Sequence, residues 1–464
     1  MLGARKVGAA LKLTFHASGF CLDLLKESGC GLRIMGMRRR NNSSAMTGWV
    51  RILFTPARAV PTMAALALLL SGCQRPKQSA TPSPPPTSSP PQTRPPVARD
   101  GEPKMARPPK LLAVEAGSPP ARIVRIYYAT DRAVTREGTS IVTYTNRPVP
   151  AGAPLNLGTC QVTIPPNHVT GRFERPSLIK LEFKETPEKH VTLGTVRRLD
   201  APKFWADLRG RVTNSSAREV FVFIHGFNNT FQDAAMTAGQ LAFDLGFDDA
   251  RGAPILYSWC SKGETTGYGA DELAVTNTVQ RLEEFLHQVA RDSGANAVHL
   301  LAHSMGNRAL TQALHRMSAT RALAADAPPF HQLVLAAPDV DSRDFESISR
   351  AVASTSRHAS LYWSKRDVAL LASAVLHGHW RLGETGIAEG FDSLDVSAAV
   401  ASLKDITEHS YYHECPPVVL DLYRLFGCKC PTGDRCNRCF TRPVDASPWR
   451  FTPVEGCRHL NGQP

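Results

Sequence analysis

The chain of 464 residues lacks an apolar run long enough to cross a bilayer as a stable helix, which needs about 20 residues. It has no internal repeat, which sets aside solenoids and propellers. Acidic residues are in deficit, with 41 Asp+Glu against 54 Lys+Arg and a formal net charge of +13. Such an excess could serve nucleic acid or anionic lipid, but the basic block to carry it is missing from the later part of the chain. Residues 1–45 hold eight Lys/Arg against Asp23 and Glu27, residues 46–72 add Arg51 and Arg58, and only +5 is left, unclustered, over residues 73–464. Nucleic acid is therefore not an expected partner. Carboxylates at ligand spacing are also lacking around the H-x-H pair His377 and His379, so no metal site is expected there.

What is present near the N-terminus reads as a secretory leader over 46–73. Arg51 and Arg58 form a positive region without acids, and Met63-Ala64-Ala65-Leu66-Ala67-Leu68-Leu69-Leu70 forms a short apolar core. The ending Leu70-Ser71-Gly72-Cys73 resembles the lipobox of bacterial lipoproteins, in which the cysteine is lipidated and becomes the mature N-terminus. That resemblance implies lipidation at Cys73 and a cell-envelope location, lipid-anchored on the periplasmic or extracellular face. Met46 is then the expected start, with residues 1–45 a non-native or unstructured extension. Residues 74–121 are rich in Pro, Ser and Thr, including Pro84-Pro85-Pro86, and read as a disordered tether that cannot bury a core.

Organised sequence begins near Arg122. Ile123–Tyr128, Thr159–Ile164, Leu178–Phe183 and Val191–Val196 read as strands of an antiparallel lead-in. From Val220 the pattern changes to short apolar runs alternating with helical stretches, as in a parallel sheet covered on both faces. The runs are Val220–Ile224, Ile255–Trp259, Ala297–Leu301, Leu333–Ala337, Ala359–Trp363 and a weaker Ser393–Val396. Helices are expected near Phe231–Leu245, Asp271–Arg291, Asn307–Met317, Phe345–Ala353 and Val368–His377. The fold class is α/β, and residues 122–427 are long enough for one core.

Ala302-His303-Ser304-Met305-Gly306 lies where one of these strands gives way to a helix. That is the setting of a nucleophile elbow, a turn so sharp that the residues two before and two after the serine must be small. A serine in such a place more commonly caps the helix, so the choice rests on what accompanies it. His225-Gly226-Phe227-Asn228-Asn229 ends an earlier strand, where the fold expected of an elbow places half of its oxyanion hole; the amides of Phe227 and Met305 are the expected donors. The order serine, acid, histidine leaves Asp367 or, alternatively, Asp339 as the acid. His409 is the expected base, with His413 its rival, and His303 is expected to be structural. The loop Gly263–Gly269 is expected to border the pocket.

With this set the chain resembles the α/β-hydrolases, and more narrowly a bacterial family of uncharacterised esterase- or lipase-like hydrolases. The resemblance rests on Tyr128-Ala129-Thr130-Asp131-Arg132, His225-Gly226-Phe227-Asn228, Ser258-Trp259, Ala302-His303-Ser304-Met305-Gly306-Asn307, Ala337-Pro338-Asp339-Val340-Asp341 and His409-Ser410-Tyr411, and covers about Arg122 to Leu425. One departure is Cys260, where the family usually has proline. The resemblance implies an α/β-hydrolase fold with a mostly parallel central sheet, and a serine hydrolase of the carboxylesterase or lipase type without metal or organic cofactor. Its substrate would be a small-molecule or lipid-like acyl compound. An amidase, thioesterase or peptidase on the same residues is the alternative enzyme, and a non-catalytic envelope scaffold is the alternative to an enzyme.

Residues 428–464 form a Cys-rich tail. Cys415, Cys428, Cys430, Cys436, Cys439 and Cys457 crowd this end. In an oxidising compartment they are expected to form disulfides, with zinc held by four thiolates the alternative.

Overall fold

A computed structural model describes residues 9–16, 19–24, 47–52, 121–137, 142–176, 184–320, 328–401, 408–428, 440–441 and 448–451. The chain divides into two compact units, Met1–Val97 and Ala98–Pro464. In the first, β1 (Ala9–His16), β2 (Gly19–Leu24) and β3 (Thr47–Ile52) pair antiparallel in the order β2-β1-β3. In the β1–β2 hairpin Leu11, Leu13 and Phe15 stand opposite Leu24, Leu22 and Phe20. Alternation of this kind is itself a strand pattern. Cys73 and residues 74–120, where a tether was expected, lie outside the described residues.

The second unit is built on an eleven-stranded sheet. Its strands are β4 (Arg122–Thr130), β7 (Asn156–Ile164), β8 (Thr192–Leu199), β9 (Glu219–Ile224), β10 (Gly252–Ser258), β11 (Ala297–His303), β12 (Phe330–Ala336), β13 (Ser356–Trp363), β14 (Asp392–Asp395), β15 (Phe440–Thr441) and β16 (Trp449–Phe451); β5 (Arg132–Glu137) and β6 (Val142–Pro148) form a separate hairpin. The order is β15-β16-β14-β13-β12-β11-β9-β10-β4-β7-β8. Pairs from β4 through β14 to β16 are parallel, and β4-β7-β8 is the antiparallel lead-in. This is the α/β-hydrolase arrangement expected from the sequence.

The continuous apolar runs follow from cover on both faces. In β9, Phe221 and Phe223 join one core with Leu241, Val418, Leu422 and Phe426, while Val220, Val222 and Ile224 join the other with Leu208, Leu286, Leu314 and Phe345. Helices Phe231–Asp244 and Pro416–Cys428 therefore cover one face, and Ala201–Asn214, Val279–Asp292, Gly306–Ala319 and Ser342–Ala353 the other. Strand order reverses at β9: the chain goes to β10 on one side, then returns to β11 on the other. A crevice at such a switch point, beyond the carboxyl ends of the strands, is where open α/β sheets bind ligands.

Several elements differ from expectation. The single helix expected over Asp271–Arg291 is two, Tyr268–Asn277 and Val279–Asp292. The break falls at buried Thr278, whose hydroxyl donates to Asp131 Oδ2 (2.6 Å) and meets the Tyr257 hydroxyl (2.8 Å). The β5–β6 hairpin and the helix Pro416–Cys428 were not foreseen, and Leu178–Phe183 lies outside the described residues. Cys415 does not join a stapled tail: it is a buried free thiol packed in the core, as are Cys160 and Cys260. Cys430, Cys436, Cys439 and Cys457, and the side chain of Cys428, lie outside the described residues. Among the described residues no helix is long and apolar enough to cross a membrane, and no group of three His, Cys, Asp or Glu could hold a metal ion.

Candidate active site

The loops after β9 and β11 meet at the switch point. Ser304 follows β11 directly and takes a left-handed φ of +50°, while the helix Gly306–Ala319 begins two residues later. Such a backbone costs on the order of 1–3 kcal/mol for a non-glycine residue and persists only where the surroundings enforce it. Here the Ser304 amide donates to the Ala336 carbonyl at the end of β12 (3.0 Å). Its carbonyl accepts from the Asn307 amide (3.1 Å), the Asn307 side chain (3.1 Å) and the Asp339 amide (3.2 Å).

Two glycines let the loops touch. A Cβ on Gly306 would lie 2.3 Å from the His225 carbonyl oxygen, and one on Gly226 would lie 2.9 Å from Ser304 Cβ and 2.8 Å from His303 Nδ1. The His-Gly step is therefore packed against the serine turn, with Phe227 next in the chain. Met305 opens the helix, where backbone N–H groups have no intrahelical acceptor.

Asp367 and His409 are brought together. Asp367 Oδ2 lies 2.7 Å from His409 Nδ1, and Oδ1 accepts from the Leu370 amide (3.0 Å) as the N-cap of the helix Val368–His377. The carboxyl is fully buried, and the histidine side chain is 15% exposed. Burial pushes the Asp367 carboxyl up from its ordinary value, with the His409 partner pulling the other way. The neighbours of both are clamped as well: Arg366 forks onto Glu408 through bonds of 2.7 and 2.8 Å. Tyr411, two residues after His409, donates to the Tyr362 carbonyl in β13 (2.9 Å). The strand that leads to Asp367 thus also anchors the His409 segment.

The alternative acid, Asp339, is engaged elsewhere. Its carboxylate accepts from Tyr268 (2.7 Å), Ser373 (2.6 Å) and Arg308 (3.0 Å), and lies 3.4 Å from Arg381 Nε. Burial alone would raise its carboxyl, but Arg308, Ser373, Tyr268 and Arg381 hold it below the ordinary range. His413, the rival base, is bound to the Gln240 side chain (3.0 Å). His303 stacks on Tyr412 at 4.2 Å, and its Nε2 meets the His409 carbonyl (3.3 Å); burial drives its pKa well down and keeps it neutral. His377 packs Nε2 against Glu272 (2.6 Å). Cys73 lies outside the described residues.

Sequence reasoning missed the scaffold beneath the Phe227 loop. Tyr268, at the end of the Gly263–Gly269 loop, packs its ring edge-on against Phe227, with centroids 5.2 Å apart. Arg132 and Asp271 are buried there too, and the Asp131-Arg132 pair at a strand end was the available signal. Cys260, whose thiol burial pushes up to about 11, is not poised to react.

Residues 201–427 match the model of a family described as an alpha/beta hydrolase of unknown function (DUF900). That match and the sheet topology together assign this region to the α/β-hydrolase superfamily. No curated protein matches the chain.

Proposed function

We propose that the chain is a serine hydrolase that cleaves an acyl ester, with Ser304 as nucleophile, His409 as general base and Asp367 as the carboxylate that orients it. The observation that carries this reading is the 2.7 Å contact between a buried Asp367 and His409, whose carbonyl meets the ring of His303, the residue before a serine at φ +50°. In the reading, His409 Nε2 takes the Ser304 proton as Oγ attacks the acyl carbonyl carbon. The amides of Phe227 and Met305 receive the developing oxyanion. His409 then protonates the leaving alcohol, and the acyl-enzyme is released by a water that the same histidine deprotonates. Asp367 keeps the proton on Nδ1 and stabilises the imidazolium. These steps use no metal or organic cofactor. The substrate class is small-molecule or lipid-like acyl esters, met at an envelope membrane to which the lipobox-like Cys73 would tether the enzyme.

The test is labelling of the purified chain by a fluorophosphonate, beside Ser304→Ala. Label on wild type and none on the variant is the expected result. An unlabelled, folded wild type would remove the reading.

A further inference from the structure

Arg132 is the first residue of β5 and is fully buried. Burying a guanidinium is expensive unless every donor is matched. Four of its five N–H groups have acceptors: Nε donates to Ser258 Oγ (3.1 Å), Nη1 to Asn146 Oδ1 (2.9 Å) and the Ser261 carbonyl (2.9 Å), and Nη2 to the Asn229 carbonyl (2.7 Å). These acceptors come from the β6 strand, from the last residue of β10 and the loop after it, and from the loop after β9. One planar group thus holds three segments at the carboxyl end of the sheet.

The tie continues toward Phe227. The Asn229 side chain donates to the Phe227 carbonyl (2.8 Å), and its amide donates to Ser261 Oγ (3.1 Å). Ser261 in turn donates to Asp271 (2.6 Å), a buried carboxylate that also accepts from the Lys262 amide (2.7 Å). Asn228, between Phe227 and Asn229, is left-handed at φ +57°, so the loop needs restraint on both sides to hold its shape. The negative charges of Asp131 and Asp271 offset the guanidinium without bonding to it directly.

The Asn229 side chain also lies 3.4 Å from the carbonyl of Gly226, the other end of the peptide that carries the Phe227 N–H, and we infer that Arg132 is a positioning residue that, through Asn229, holds the peptides on both sides of Phe227 so that its N–H is aimed for the oxyanion. The inference rests on the proposed acyl-transfer reading. Arg132 touches no reacting atom, so its contribution appears in the transition state and not in substrate binding.

The test uses the full chain as wild type, Arg132→Lys and Asn229→Ala. Lysine keeps the charge but cannot reach four acceptors at once. Asn229→Ala keeps the guanidinium and its bond to the Asn229 backbone carbonyl, and cuts only the side-chain links to the Phe227 and Gly226 carbonyls. Turnover of p-nitrophenyl butyrate, affinity for an alkyl boronic acid and thermal melting are measured on each. For Arg132→Lys we expect KM within about twofold of wild type, kcat down by about 10- to 1000-fold, and boronic acid binding weakened in step. Asn229→Ala shows the same split at a near-wild-type melting point. If Arg132→Lys does not fold, Asn229→Ala decides alone by that split. Folded variants that keep kcat within about twofold, or that lose KM and kcat together without a change in boronic acid affinity, overturn the inference. A folded wild type that neither labels with fluorophosphonate nor turns over ester overturns the parent reading and the inference with it.

Discussion

Asp367→Asn changes one atom of the carboxylate, and the geometry says which tautomer of His409 results. Asp367 accepts two hydrogen bonds, from the Leu370 amide on Oδ1 and from His409 Nδ1 on Oδ2. Asparagine has one oxygen and one NH2. With its oxygen on the Leu370 amide, its NH2 faces His409 Nδ1 and donates to it, which forces the imidazole proton onto Nε2. Turning the amide over sets NH2 against the Leu370 N–H and strands a buried donor, at about 1–3 kcal/mol. The first arrangement wins, and Nε2 can no longer accept the serine proton. Loss of the right tautomer in such sets costs about 10⁴ in turnover, which is about 5 kcal/mol of barrier. Asparagine is as good an N-cap as aspartate, so the melting point stays near wild type. Asp339→Asn is the counterpart: it uncouples a buried carboxylate from Arg308 and Arg381, which costs about 3–5 kcal/mol of stability. The assay is p-nitrophenyl butyrate turnover beside urea denaturation for both variants. A fully active Asp367→Asn, with an inactive but stable Asp339→Asn, would refute the assignment and give the acid's role to Asp339.

His168 supplies a pH dependence of stability. Burial alone would depress its pKa, but Asp244 (2.8 Å) and Glu174 (2.7 Å) grip its two ring nitrogens and raise it to about 9. A group raised above its unfolded value of about 6.5 stabilises fully below that pH and loses the contribution as pH rises through about 9. The melting temperature should fall between pH 6.5 and 10 by more in wild type than in His168→Gln; parallel curves would count against a charged His168. On the proposed lipid-anchor reading, the chain expressed in a lipoprotein-processing bacterium should partition into detergent and carry acyl mass on Cys73. Cys73→Ala should stay unacylated, and equal partitioning of both would dismiss the anchor.

The legible parts of the fold were those set by burial alone. Val220–Ile224 and Ala359–Trp363 read as strands because the sheet is covered on both faces, and the helices that follow them begin at Thr230 and Asp367, caps whose side chains reach back to the third residue of the helix. What was not legible depends on partners far along the chain. The break falls at Thr278, whose hydroxyl donates to Asp131, 147 residues earlier. The helix Pro416–Cys428 carries Val418, Val419, Leu422 and Phe426 at helical spacing, but Pro416 and Pro417 at its start mask the helical pattern. Cys415 is a core residue whose small apolar body fills space below Tyr411.

The choice between the two acids shows most plainly where sequence order stops being informative. Asp339 lies three residues beyond β12 and Asp367 four beyond β13, and these strands are neighbours in the sheet. Position alone cannot separate them. Charge does. Asp339 sits between Arg308 and Arg381, and its oxygens are further committed to Tyr268 and Ser373, so it is a fixed anion within a structural network. Asp367 spends one oxygen on the start of its own helix and leaves the other for His409, while the adjacent Arg366 is turned outward onto Glu408. A carboxylate that orients a histidine must carry its charge without a stronger cation competing for it. Arg366 held away by Glu408 meets that condition beside Asp367, and nothing of the kind could be arranged beside Asp339 without dismantling the contacts that hold Tyr268 against Phe227.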